Sequence, residues 1–216
     1  MRNGNRKWLL FFCACMIGAE AAAPQEVLDR IVARVEGDVI LLSEVRALSR
    51  YQQLVEGKAE SDAQIVDRLV DQWIVRNEAQ TARFPWPIDA EITRGVERVQ
   101  SSFGSAEQYA AHRKQCGLND EDVRRMVAAQ LYLTNYLDSR FRSSIQIDAK
   151  QVEDFYQTAV VARAKARNQT PPSLEASREY IQQALMQREI NEQSERWLKE
   201  SHARLHVEKF LDTGAK

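Results

Sequence analysis

A stretch near the start of the chain, RIVARVEGDVILLSEV from Arg30 to Val45, constrains the fold more than any other. Ile31, Ala33 and Val35 alternate with outward-facing positions, Glu36-Gly37-Asp38 supplies a turn, and Val39 to Leu42 is a second apolar run. Strand side chains switch faces at every residue and glycine accepts turn conformations, so the pattern predicts a β-hairpin. A lone hairpin is marginally stable in water. The rest of the chain must supply a third strand or a surface to pack on.

Beyond the hairpin the chain reads as a string of capped helices. Ser43 is placed to cap a helix bearing Val45, Leu48, Tyr51, Gln52 and Val55, which Glu56-Gly57-Lys58 breaks. Ser61 and Gln64 form a capping-box pattern before the widest apolar stripe, Ile65, Val66, Leu69, Val70, Trp73 and Ile74. Phe84-Pro85-Trp86-Pro87 stops that helix, because proline cannot continue one. Asp89 is expected to cap a helix with Ile92, Val96, Val99 and Phe103 on one face, ended by Gly104. Ser105 and Gln108 open a short helix through Tyr109 and His112, closed by Gly117, and Asn119 opens a long one. The long helix carries Val123, Met126, Val127, Leu131, Thr134, Leu137 and Phe141. Asp148 and Gln151 start another, with Val152, Phe155, Tyr156 and Val160.

Residues 168–173 are polar, include Pro171 and Pro172, and separate this pattern from a last long helix. That helix runs from Leu174 through Ile181, Leu185, Ile190 and Trp197 and ends near Ser201. The tail ARLHVEKF then changes period: Leu205, Val207 and Lys209 fall on one face, and His206, Glu208 and Phe210 on the other. This is the strand the hairpin requires. The predicted fold is mainly α, a multi-helix module with a small antiparallel β-sheet formed by an N-terminal hairpin and a C-terminal strand.

Residues 1–23 are read apart from the fold. Arg2, Arg6 and Lys7 precede an apolar stretch from Trp8 to Ile17 and then small residues, the layout of a secretory signal peptide; the run is too short to span a membrane. Cleavage is expected within Ala21 to Ala23, and the product is expected to be exported with no integral membrane span. Loss of the leader removes two of the three cysteines and leaves Cys116 alone, so core packing rather than a disulfide must hold the mature chain together. Cys116 itself is expected to be a small buried apolar residue, with a reactive thiol the alternative. A composition of 44% hydrophobic and 28% charged residues with few Gly and Pro suits a packed core, and a net charge of −1 without like-charge blocks gives no nucleic-acid footprint.

The sequence holds no P-loop, dinucleotide fingerprint, GxSxG elbow or paired Cys-x-x-Cys. His202 and His206 are four apart, as metal ligands on a helix would be, but the periodicity changes between them and no third ligand accompanies them. They are expected to be surface histidines at a helix-to-strand junction; no catalytic residue, cofactor or metal is assigned. Trp73 and Trp197 belong to helical stripes and are expected in the core. Tyr132 and Tyr136 flank the Leu131–Leu137 stripe and either widen the core face or line a groove. Tyr51, Trp86, Phe103, Tyr109 and Tyr156 are open in the same way, and these seven aromatics are the candidate groove residues.

The order of parts resembles the SurA-type periplasmic chaperone family. The matching pieces are DRIVARVEGDVILLSEV, QIVDRLVDQWIVRNEAQ, PIDAEITRGVERVQSSFGSAEQYAAH, DEDVRRMVAAQLYLTNYLDSRF, IQIDAKQVEDFYQ and QREINEQSERWLKESHARLHVEKFL, covering nearly all of residues 27–211. The resemblance implies an N-terminal chaperone domain over 24–167 and a C-terminal helix and strand over 174–216 that pack on it. Residues 168–173 then stand as a linker where the family carries parvulin-type isomerase domains, for which the roughly sixteen residues between Tyr156 and Ser173 leave no room. The implied activity is that of an ATP-independent periplasmic holdase for unfolded outer-membrane or other exported proteins, without enzymatic function. Residual peptidylprolyl isomerase activity and a dedicated assembly or scaffold role are the alternatives. A monomer or a strand-swapped dimer is compatible with the terminal strand.

Overall fold

A computed structural model describes residues 29–211. The leader predicted over residues 1–23 lies outside the described residues. Strands β1 (Ile31–Val35) and β2 (Asp38–Leu41) form the hairpin, and β3 (Val207–Lys209) adds antiparallel to β1, giving the order β2-β1-β3. Glu36 and Gly37 sit at φ 54° and 113°, the left-handed values that a two-residue primed turn requires. The non-glycine residue tolerates this because the tail clasps it. The Glu36 backbone N–H donates to the His206 carbonyl at 3.1 Å, and the His206 backbone N–H donates to Glu36 Oε1 at 2.7 Å.

The hairpin departs from strict alternation. The pairing register shifts between Ile31 and Ala33, so the bulge at Val32 lets Val32 and Ala33 both bury fully and leaves Ile31 on the surface, not on the inner face with Ala33 and Val35. The inner face of the sheet packs on α1 (Leu42–Glu56) and α2 (Asp62–Thr81) through Val35, Ile40, Val45, Ile65, Val66 and Val70. Leu205, Val207 and Leu211 close the same core from the C-terminal end.

Helices α3 (Asp89–Ser101), α4 (Ala106–Gln115) and α5 (Asp120–Phe141) come next, and α5 is the central one, in contact with α1, α2, α3 and α8 (Leu174–His202). Gly95 lets α3 lie close on α5: a Cβ built there would stand 2.6 Å from Val127 Cγ1. After a 3₁₀ turn (Arg142–Ser144), α6 (Ala149–Phe155), a π-helical segment (Tyr156–Val161) and α7 (Ala162–Ala166) run on without a break. The first half of α8 packs back on them through Val152, Ile181 and Leu185. Its second half reaches α2 and α5 with Trp197 and Leu198 and delivers the chain to β3.

Four of the expected caps form: Ser61, Ser105, Asn119 and Asp148 each accept a hydrogen bond from the third helical residue. Ser43 and Asp89 do not cap. β2 runs directly into α1, so the N-cap is Leu41, whose N–H donates to Glu44 Oε2 at 2.8 Å. Ile88 similarly precedes α3, its N–H donating to Glu91 Oε2 at 3.2 Å, while Asp89 turns outward to pair with Arg124. Helix α3 ends at Ser101, before Gly104, and Val55 is exposed rather than part of the buried stripe.

Candidate binding cleft

Helix α5 spans 22 residues, about 33 Å at the helical rise. One face of it is the floor of the cleft. Met126, Gln130, Leu133, Thr134 and Leu137 recur at intervals of one, three and four and so share that face. A cavity of about 400 Å³ opens above them between α1, α2 and the end of α8, walled by Leu48, Val55, Arg68, Asp71, Val75 and Leu198. A second, of about 380 Å³, lies between α1, α3 and α5 over Gly95, Val99 and Val127. Tyr51, Val55, Gln130 and Thr134 line both, so the two adjoin along the α1–α5 seam and together make up the trough across α5. A third hollow of about 620 Å³, bearing Glu91, Arg94, Glu97 and Arg98, continues it around α3 and shares Arg98 and Leu131 with the second.

The trough alternates apolar and hydrogen-bonding groups. Tyr51 stands at its centre, with its hydroxyl 3.4 Å from Gln130 Oε1 and its ring buried; burial pushes the phenol pKa up, so it stays a neutral donor. Gln52 is buried beside it. Its amide N–H donates to Glu60 Oε2 at 2.8 Å and its carbonyl accepts the Glu60 backbone N–H at 3.2 Å, which satisfies a polar group in the core. Arg68 donates to both Glu60 oxygens, at 2.8 and 2.5 Å, and these bonds with that from Gln52 bring the Glu60 carboxyl down to about 2. The network holds the α1–α2 turn at the rim of the trough.

Of the seven aromatics picked out in the sequence, only Tyr51 lines this trough. Phe103, just after α3, and Tyr109 of α4 meet edge to face at 5.5 Å, with Tyr109 buried. Tyr132 and Tyr136 take the first of the two roles their spacing allows: both are buried and widen the core against Phe84, at 6.0 and 5.6 Å between centroids. Trp86 lies over Tyr132 at 4.7 Å and keeps 55% of its surface exposed. Tyr156 packs on the separate Val152, Ile181 and Leu185 cluster, and its hydroxyl donates to the Pro172 carbonyl at 2.8 Å. The residues that sequence patterning passes over are Gln130, a polar position between Val127 and Leu131 of the apolar stripe, and Leu133.

The two C-terminal histidines engage different carboxylates. His202 Nε2 lies 2.6 Å from Asp71 Oδ1, joining α8 to α2, and His206 Nε2 lies 3.0 Å from Glu208 Oε1 on the strand. Among the described residues no group of three or more His, Cys, Asp or Glu side chains converges as a metal-ligand set, and no helix is long and apolar enough to cross a membrane. Cys116 is half-buried against the Tyr109 cluster, and burial raises its thiol pKa, which disfavours the reactive thiolate.

No family model matches the chain, and no curated protein matches it.

Proposed function

We propose that this protein is an ATP-independent holdase that binds extended segments of unfolded exported polypeptides, with the α5 trough as its binding cleft. The supporting observation is that two adjoining cavities over α5 share Tyr51, Val55, Gln130 and Thr134. A floor with Met126 and Leu133 accommodates varied apolar side chains, since methionine adapts its shape, while Gln130 and Thr134 offer hydrogen bonds to any backbone. Such a surface favours many sequences over one, with low affinity per contact and ready release. The order of parts that resembles SurA-type chaperones, and a leader of signal-peptide layout, favour outer-membrane and other secreted proteins as clients and the periplasm as the compartment. Isomerase activity is not expected, because residues 156–173 are a π segment, one five-residue helix and a loop.

The test is light scattering of a urea-unfolded outer-membrane barrel protein diluted into buffer with equimolar chaperone. Wild-type protein should suppress aggregation, and Thr134→Trp, at an exposed position common to both cavities, should lose at least half of that effect at unchanged melting temperature. Absence of suppression by wild type would sink the function; full suppression by the variant would sink the site. A short-peptide prolyl isomerisation assay should show no acceleration over the uncatalysed rate.

A further inference from the structure

A separate cleft of about 670 Å³ lies far along the chain from the trough, between the π segment, α7, the loop 168–173 and the start of α8. Its apolar lining includes Phe155, Val160, Ala164, Pro172 and Tyr180, and Tyr180 is 63% exposed. The Tyr156 hydroxyl bond to the Pro172 carbonyl, at 2.8 Å, fixes the loop against the π segment and so sets the spacing of the walls. π-helical turns are uncommon and concentrate at functional sites. The charged lining is of one sign: Arg163 and Arg167, both exposed, with no carboxylate among the lining residues. Two of the trough hollows, by contrast, carry both signs, as Glu91 and Glu97 stand with Arg94 and Arg98. Gln169 and Thr170 add an exposed amide and hydroxyl at the rim.

We infer that this cleft is a second polypeptide-binding site, selective for an apolar segment carrying a carboxylate side chain. The apolar client residues would lie against Phe155, Val160 and Tyr180, the Asp or Glu would meet the Arg163 and Arg167 guanidiniums, and Gln169 and Thr170 would hydrogen-bond the backbone. The one-signed rim argues for the acid, and the amide and hydroxyl argue for a peptide over a simple fatty acid. The inference rests on the holdase reading for its biological client, but its binding test is independent of it.

The experiment is fluorescence anisotropy with three labelled peptides of identical apolar residues, carrying Glu, Gln or Lys at the same two positions, all with amidated C-termini. The Glu peptide should bind about fivefold more tightly than the Gln peptide and the Lys peptide more weakly still, with the difference shrinking in high salt. Arg163→Gln with Arg167→Gln should erase the Glu-over-Gln preference, the Glu peptide falling to the affinity of the Gln peptide. Ala176→Trp, which fills the cleft from the α8 side, should weaken all three. Equal affinity for Glu and Gln peptides, or a preference that survives in the double arginine variant, would overturn the inference. Aggregation suppression without acid selectivity removes this site alone, whereas acid selectivity without suppression removes the holdase reading alone.

Discussion

The Trp73 indole N–H donates to Asp38 Oδ2 across 2.9 Å, and this single bond joins the first residue of β2 to the middle of α2. Trp73 is otherwise buried against the sheet, so its one polar atom is satisfied at the point where the hairpin meets the helical body. A double-mutant cycle with Asp38→Ala and Trp73→Phe should give a coupling of about 1 kcal/mol by chemical denaturation. A coupling within error of zero would show that water replaces the contact without loss.

The tail has a larger part. Leu205, Val207 and Leu211 pack on the hairpin core, the Phe210 N–H donates to the Val32 carbonyl at 2.8 Å, and His206 clasps the Glu36 turn. Deleting residues 205–210 should lower the melting temperature by roughly 6–12 °C, the equivalent of a few kcal/mol for a chain of this size. An unchanged melting temperature would mean that the hairpin stands without its third strand.

Gly95 should resist substitution although it lies inside a helix. Alanine is favoured over glycine by about 1 kcal/mol in an exposed helix, yet here its Cβ would meet Val127 Cγ1 at 2.6 Å. Gly95→Ala is therefore expected to destabilise by about 1–3 kcal/mol through overpacking between α3 and α5. Guanidinium denaturation decides the sign, and a stabilised variant would show that α3 shifts freely on the floor helix.

The Glu60 clamp predicts a pH dependence. The folded carboxyl titrates at about 2 against 4.5 in the unfolded chain, so its stabilising effect is complete above 4.5 and is lost as pH falls towards 2. Between those limits the melting temperature of wild type should fall more steeply than that of Glu60→Gln. Parallel curves would mean that the bonds from Arg68 and Gln52 do not distinguish the two charge states.

The caps at Ser61, Asn119 and Asp148 are legible in the sequence because each is a contact between residues three apart, decided before any tertiary packing. Ser43 and Asp89 mislead through the same locality: each has the right chemistry for a cap, but a strand or an extended residue enters the helix directly and a glutamate completes the end instead. The bulge at Val32 leaves no such mark, since Ile31, Val32 and Ala33 are all apolar and only pairing with β2 chooses which of them faces inward.

Periodicity alone therefore determined that this chain is a series of amphipathic helices with strand-like segments at both ends, because period and capping are properties of neighbouring residues. The tertiary structure decided which faces are spent on core and which stay open. Tyr132 and Tyr136 vanish beneath Phe84 while Gln130 and Thr134, on the same helix, face a trough. Four different helices have to converge on α5 before that distinction exists, and the geometry of their convergence depends on contacts between residues far apart in the chain, such as Gly95 on Val127.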